Sequence, residues 1–212
     1  MIRLSGLYAI TPDVPATGTP LATQVEQAIA GGARLIQYRN KGGDAHRQRR
    51  EARSLLAVCR AAGVPLIVND DLDLAMHIGA DGVHLGKHDP DPREARGQLG
   101  PRAIIGISCY DRLDEALRAR ELGADYAAFG RFFPSSTKPL AVQATPELLR
   151  RARERLTLPL VAIGGVTPEN GRLLISAGAD MLAVVDAVFG QPDIRAAAAA
   201  FNNLFLDGDC DP

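Results

Sequence analysis

The chain has no tryptophan, few aromatic residues (5%) and only three cysteines, Cys59, Cys109 and Cys210. An odd number of cysteines without metal-ligand spacing excludes a disulfide scaffold and a zinc–cysteine site, and fits a reducing cytoplasm. No apolar run approaches the roughly 20 residues of a membrane span, and the first residues lack a secretory segment. The formal net charge is −1, so the chain lacks the surplus of basic residues that is typical of a nucleic-acid binder. The sequence therefore predicts a cytoplasmic protein without a membrane or nucleic acid as partner.

What the chain has instead is a repeating unit. Eight short apolar runs, rich in branched residues, are typical of buried strands: 7–10, 35–38, 66–68, 82–85, 104–107, 126–129, 160–163 and 181–185. Segments with helical periodicity lie between them, as in 51–60, 113–122 and 148–156. A Gly-Ala-Asp or similar glycine joint precedes most strands, where glycine can end the helix in a left-handed cap.

Eight strand–helix units in about 200 residues predict a single-domain α/β protein, a (β/α)₈ TIM barrel. We expect this domain to span residues 1–206, with 207–212 as a flexible tail. A doubly wound open sheet is the alternative. Against it, Thr11-Pro12-Asp13-Val14-Pro15 follows the first strand where a glycine-rich dinucleotide motif would stand.

In such barrels the active site forms at the carboxyl ends of the strands. After the second strand come Gln37, Arg39 and Lys41, which alternation places on one side, opposite Tyr38 and Asn40. Two cations and an amide that point together favour an anion with several oxygens. Taken alone, a solvated charge cluster at a strand end is an equally good interpretation.

Carboxylates follow the next two strands. Asp70 and Asp71 come after the third strand and Asp89 after the fourth. Neighbouring strands lie about 4.8 Å apart, so these groups can share one ion, and hard oxygen ligands beside an anion site suit Mg²⁺. Helix capping is the alternative, and spacing favours Asp71 as the cap and Asp70 as the ligand. Asp89 or Asp91 would cap the following helix.

The remaining strand ends carry weaker signals. Ser108 follows the fifth strand, and a stiff loop with three hydroxyls and Lys138 follows the sixth. Gly164-Gly165 after the seventh strand is either a tight turn or a phosphate contact, and its position favours phosphate. His84 and His88 lack a third zinc ligand, which favours a packed His84 and a His88 at the rim.

Taken together, these motifs resemble the thiamin-phosphate synthase family. The resemblance runs in order from about Gly6 to Phe205, and it rests on six stretches: Gln37-x-Arg39-x-Lys41, Asn69-Asp70-Asp71, 81–89, Gly106-Ile107-Ser108, 133–138 and 162–166. It implies a Mg²⁺-dependent transferase of thiamine biosynthesis with two phosphorylated small-molecule substrates. A pyrimidine diphosphate and a thiazole phosphate, or a carboxylated tautomer of the latter, would give thiamin phosphate and pyrophosphate.

The resemblance also implies roles for residues. The pyrimidine diphosphate would be held by Gln37, Tyr38, Arg39, Asn40, Lys41, Asn69, Ser108 and Lys138. The thiazole phosphate would be held by Ser135, Ser136, Thr137, Gly165, Val185 and Asp186. Asp70 and Asp89 would bind Mg²⁺, and Arg39, Lys41, Ser108 and Lys138 would be catalytic by stabilising the departing pyrophosphate. Asp186 stands where the family often has serine.

Two other functions are open. One is a thiazole tautomerase on the same barrel, which would not need the diphosphate and metal residues. The other is a barrel that binds phosphorylated metabolites without catalysis, which would be expected to lose Arg39, Lys41, Asp70 or Lys138. All four are present, which favours the synthase. The sequence does not give the oligomeric state, and a homo-oligomer stays open.

Overall fold

The structure, a computed structural model, describes residues 4–13, 18–42, 44–134 and 143–206. Its centre is a closed barrel of eight parallel strands in sequence order, with β1 also paired to β8. The strands are β1 Gly6–Ile10, β2 Ala33–Tyr38, β3 Leu66–Asn69, β4 Gly82–Leu85, β5 Ile104–Tyr110, β6 Tyr126–Gly130, β7 Leu160–Ile163 and β8 Met181–Val184. The predicted (β/α)₈ fold is confirmed, and the open sheet is excluded.

Helices follow the strands and cover the outside of the barrel. They are α1 Leu21–Ala30, α2 Ala45–Ala62, α3 Leu72–Ile78, α4 Pro92–Leu99, α5 Leu113–Glu121, α6 Pro146–Arg155, α7 Pro168–Ser176, α8 Asp186–Phe189 and α9 Ile194–Leu206. Among the described residues, none of these helices combines the length and apolarity of a membrane span. The expected tail, 207–212, lies outside the described residues.

Side chains alternate between two apolar layers. Those that point into the barrel, such as Tyr8, Ile67 and Val161, form a small inner core. Those that point outwards pack against the helices in a larger outer core, which includes Tyr38 and the buried thiol of Cys59. Because both faces of each strand are covered, the strands read as unbroken apolar runs in the sequence.

The glycine joints close the helices as expected at two positions. Gly63 (φ 67°) and Gly79 (φ 72°) are left-handed caps of α2 and α3. At three other joints the helix ends one residue earlier in a right-handed conformation, and the following glycine takes the positive φ: Gly32, Gly123 and Gly178. A side chain would be strained at any of these glycines.

At three of the joints an aspartate ties two neighbouring strands together, at the end of the barrel where the strands begin. Asp125, before β6, accepts a hydrogen bond at 2.7 Å from the backbone N–H of Ile105 in β5, and one at 2.6 Å from the guanidinium of Arg96. The same bond recurs at two more joints. The backbone N–H of Leu66 donates to the Asp81 carboxylate at 2.8 Å, and that of Leu160 donates to the Asp180 carboxylate at 2.7 Å. The repeated motif is therefore a structural device and not only a turn.

Replacing Asp125 with alanine should lower the free energy of unfolding by about 2 kcal/mol, because two charge-assisted hydrogen bonds are lost. Urea unfolding followed by circular dichroism measures the change. Asp114→Ala is the matched control, because its carboxylate also pairs with an arginine, Arg112, but on an exposed surface. Equal effects from the two variants would contradict a special role for the joint.

Candidate active site

A cavity of about 450 Å³ opens where the strands end. Its floor is made by side chains that point into the barrel, and its rim by the residues that follow the strands. Seven of the predicted site residues line it: Gln37, Arg39, Asn69, Ser108, Gly165, Val185 and Asp186. The rule that barrel sites form at the carboxyl ends of strands therefore places these residues together.

The loop after β2 presents its cations from a fixed position. Arg39 Nη1 donates to Asp13 Oδ2 at 2.7 Å, and the backbone N–H of Lys41 donates to Asp13 Oδ1 at 3.0 Å. The Thr11 hydroxyl accepts from the Arg39 backbone N–H at 2.9 Å and is fully buried. Sequence reasoning missed Thr11 and Asp13, although they follow β1 and the same rule could have found them.

Tyr38 and Asn40 face away from the cavity, as alternation predicts. The Tyr38 hydroxyl donates to Glu51 Oε2 at 2.8 Å, and Asn40 Nδ2 donates to the same oxygen at 3.1 Å. Arg47 Nε donates to the other oxygen of Glu51 at 2.7 Å. Both side chains therefore hold the loop from the helix side, and the part of Tyr38 and Asn40 in binding the pyrimidine diphosphate stays a prediction.

Two carboxylates meet beside Lys41. Asp70 adopts a left-handed φ of 60°, and its Oδ2 lies 3.7 Å from Lys41 Nζ. Burial, and after it the neighbouring charge of Asp89, raise the pKa of Asp70, and Lys41 partly offsets this. Asp89 also accepts from the Gly86 backbone N–H at 2.7 Å. The two aspartates predicted to share an ion are thus adjacent.

The capping alternative is resolved by the structure. Asp71 accepts from the Leu74 backbone N–H at 2.8 Å and caps α3, as spacing predicts. Asp91 caps α4 through Arg93 and Glu94. Neither Asp70 nor Asp89 is a helix cap.

The donor set of the pair suits a hard divalent cation. Within the described ranges, no group of three or more histidine, cysteine and acidic side chains is suited to a metal. Two carboxylates leave most coordination positions to water and to ligand oxygens, which is how Mg²⁺ is commonly held. A zinc site would need more protein ligands.

The floor of the cavity is a chain of hydrogen bonds across the inside of the barrel. Gln37 Nε2 donates to the Tyr8 hydroxyl at 2.6 Å, and the hydroxyls of Tyr8 and Tyr126 are 2.7 Å apart. His84 lies 3.0 Å from the Tyr126 hydroxyl through Nδ1, and 2.9 Å from the Ser108 hydroxyl through Nε2. Burial raises the pKa of Tyr8 and Tyr126 far above the usual range, so both keep their protons at neutral pH.

Sequence reasoning found Gln37 and Ser108, the ends of this chain, but not the tyrosines. His84 is buried, as predicted, and its ring stacks on Tyr126 at 5.6 Å. His88 is exposed at the rim, as predicted. Gly106 leaves the space for Tyr126, since a Cβ at Gly106 would lie 1.9 Å from the tyrosine ring. That glycine was an available signal for a large side chain packed against it.

The opposite wall is formed by close backbone contacts. Gly164 and Gly165 have φ values of 98° and 63°. A Cβ on Gly165 would lie 2.3 Å from the carbonyl oxygen of Pro134, so the two loops pack against each other. Val185 and Asp186 complete this wall, with Arg131, which sequence reasoning missed. The predicted residues Ser135, Ser136, Thr137 and Lys138 lie outside the described residues.

Cys109 does not take part in the site. Its side chain is fully buried, and burial raises the pKa of its thiol to about 12. A thiol with so high a pKa stays protonated and is a poor nucleophile at neutral pH.

Fold and site together define a (β/α)₈-barrel protein whose strand ends carry a pair of carboxylates beside Lys41 and a cavity lined by Arg39. The sequence profile of the thiamine monophosphate synthase family matches residues 7–188. The thiamine-phosphate synthase of Thiobacillus denitrificans is 54% identical over 200 residues, which cover 94% of each chain. That of Thioalkalivibrio sulfidiphilus is 51% identical over 203 residues, 96% of each chain.

A solved structure agrees with these sequence matches. The thiamine phosphate pyrophosphorylase of Pyrococcus furiosus superposes with a TM-score of 0.84 at 34% identity, over 95% of this chain and 96% of that one. The chain belongs to the thiamine monophosphate synthase family. The predicted family and enzyme class, a transferase of the thiamine-phosphate synthase type, are therefore confirmed.

Proposed function

We propose that the chain joins a pyrimidine diphosphate to a thiazole phosphate, giving thiamin phosphate and pyrophosphate with Mg²⁺ as cofactor. The observation that carries the proposal is that Asp70 contacts both Lys41 and Asp89, while Asp13 holds the Lys41 backbone together with Arg39, which lines the cavity. A diphosphate needs both fixed cations and a metal site, and few other ligands need the two side by side.

The pyrimidine diphosphate would lie with its ring over the floor and its phosphates at the cationic corner. Gln37, Asn69 and Ser108 offer polar atoms at the floor and lower wall of the cavity. Arg39 donates one guanidinium N–H to Asp13, and its other N–H groups would donate to phosphate oxygens. Asp70 and Asp89 would hold the Mg²⁺, which neutralises charge on the diphosphate when bound.

The thiazole phosphate would occupy the opposite wall, at Gly165, Val185 and Asp186. The hydroxyl loop 135–137 would complete this wall according to the family resemblance. The backbone N–H groups at Gly164 and Gly165 would donate to the phosphate from the positive-φ conformations that glycine adopts readily. Asp186 is exposed and begins α8. A phosphate held here would have to be bound by backbone groups, with the Asp186 carboxylate turned away.

The reaction would be dissociative. The bond between the pyrimidine methylene carbon and the diphosphate oxygen breaks, and both electrons leave with pyrophosphate. The ring stabilises the resulting cation, and the thiazole nitrogen donates its lone pair to form the new carbon–nitrogen bond. This chemistry needs no protein nucleophile. The chain would contribute fixed positive charge for the leaving group, together with the orientation of the two rings.

The test is a coupling assay with purified protein and both substrates, with thiamin phosphate measured by chromatography. We expect product with Mg²⁺ and essentially none after chelation, with activity restored by added Mg²⁺. Product formation unaffected by chelator would remove the metal from the proposal. Isomerisation of the thiazole phosphate without coupling would favour the tautomerase, and binding without either reaction would favour the non-catalytic barrel.

A further inference from the structure

The hydrogen-bond chain under the cavity can be ordered in more than one way, because a hydroxyl and an imidazole nitrogen can each donate or accept, so its direction matters. Five side chains from five strands take part: Gln37, Tyr8, Tyr126, His84 and Ser108. Each tyrosine hydroxyl has one proton, and a neutral imidazole has one N–H. The chain can therefore run in one of two directions with a neutral His84.

In the first direction, Gln37 donates to Tyr8, Tyr8 to Tyr126, and Tyr126 to His84 Nδ1. His84 then carries its proton on Nε2 and donates it to Ser108, and the Ser108 proton points away from the chain. In the reverse direction, Ser108 donates to His84, His84 to Tyr126, and Tyr126 to Tyr8. The proton left over then belongs to Tyr8.

Burial separates the two directions. Both residues line the cavity, but only 1% of the Tyr8 surface is exposed, whereas Ser108 is partly exposed. A hydroxyl proton without an acceptor is costly in the buried position and cheap where a ligand or water can accept it. The Gln37 amide, which already donates to Tyr8, also favours the first direction.

We infer that the chain is directed from Gln37 through Tyr8 and Tyr126 to His84, so that His84 is held with its proton on Nε2 and Ser108 acts as a donor toward the ligand. Tyr126 and His84 are then positioning residues, because they act through Ser108. This deepens the proposed function and rests on it only for the ligand. The acceptor would be a ring nitrogen or a phosphate oxygen of the pyrimidine diphosphate.

The assigned direction also excludes a different use of the serine. A hydroxyl that accepts a hydrogen bond from His84 is not deprotonated by it, so Ser108 is not an activated nucleophile of the serine-hydrolase kind. This agrees with a reaction in which the leaving pyrophosphate, and not an attacking side chain, is what the protein stabilises.

The first test needs no ligand and does not depend on the proposed function. NMR correlations of the ring nitrogens in ¹⁵N-histidine-labelled protein report the protonation of His84, assigned with the variant His84→Gln. We expect the neutral form with its proton on Nε2. A proton on Nδ1, or on both nitrogens, would overturn the inference.

Two matched variants sharpen the result, because each removes one hydroxyl and keeps the ring. Tyr126→Phe removes the donor to Nδ1 and should leave His84 as a mixture of the two neutral forms. Tyr8→Phe keeps that donor and should leave His84 unchanged. A merely structural role would not move the tautomer, and equal responses to the two variants would contradict the assigned direction. Thermal unfolding checks that both variants fold.

The second test is kinetic. Ser108→Ala and Tyr126→Phe should each lower kcat/KM for the pyrimidine diphosphate, the latter by about tenfold, which corresponds to one hydrogen bond. The double variant should have the same kcat/KM as Ser108→Ala alone, since Tyr126 acts through Ser108. Fully additive losses would overturn the inference. Inhibition by inorganic pyrophosphate distinguishes a ring nitrogen from a phosphate oxygen as the acceptor. If Ser108 donates to a phosphate oxygen, pyrophosphate should inhibit Ser108→Ala more weakly than the unchanged enzyme, and if it donates to the ring, inhibition should be the same.

Discussion

Asp70→Asn is expected to reduce Mg²⁺-dependent thiamin phosphate formation by about 10³-fold, the upper range for one group that stabilises developing charge. The side chain keeps its size, and asparagine tolerates the left-handed backbone that Asp70 adopts (φ 60°). What is lost is one of two adjacent carboxylates, and with it the charge that attracts a divalent cation. Initial rates over a series of Mg²⁺ concentrations measure the effect.

Asp71→Asn is the matched control, because it makes the same chemical change one residue further along. Asp71 caps α3, and asparagine caps a helix about as well as aspartate does. The Asp71 variant should therefore keep both its activity and its Mg²⁺ dependence. Similar losses in the two variants would point to a disturbed loop, and an active Asp70→Asn enzyme would remove Asp70 from the metal site.

Arg39→Ala should lower kcat/KM for the pyrimidine diphosphate by about 10²- to 10³-fold. Two effects add in this variant. The leaving pyrophosphate loses a fixed cation, and Asp13 loses the guanidinium that pairs with it at 2.7 Å. The uncompensated Asp13 carboxylate would then repel the diphosphate across the cavity mouth.

The second effect can be isolated by removing the exposed anion as well. Arg39→Ala combined with Asp13→Asn should recover about tenfold of the lost kcat/KM, although Asp13→Asn alone should be somewhat impaired because Arg39 is less well held. Binding of inorganic pyrophosphate, measured by calorimetry, should follow the same order. If the loss of kcat/KM in the double variant equals the sum of the two single losses (as free energies), Asp13 acts by holding the loop in place and not by repelling the diphosphate.

The fold was predictable because its signals are local. Buried parallel strands appear as apolar runs, and the glycine joints recur at a nearly constant place before the strands. Local reasoning also separated Asp71 from Asp70, because a helix cap is defined by residues three positions apart. The joint aspartates were noticed as part of a turn, but their bonds to the neighbouring strand depend on how strands are stacked.

The floor of the site was not predictable for a physical reason. Tyr8 and Tyr126 are 118 positions apart, and each alone is an ordinary aromatic residue in a buried strand. Only the closed barrel brings their hydroxyls to 2.7 Å and links them to His84 and Gln37. Asp13 follows β1 in a loop without a recognisable motif, and its ion pair with Arg39 forms only because β1 and β2 lie side by side in the barrel.

The joint aspartates and the cavity residues lie at opposite ends of the same strands, and this separation bears on how the barrel can evolve. Asp125 and its two counterparts connect strands at the end away from the cavity. Changes in the loops that surround the cavity leave those connections intact. Substitutions that alter substrate recognition therefore need not weaken the bonds that hold the strands together. Selection on substrate recognition and selection on stability can therefore act on different residues of the barrel.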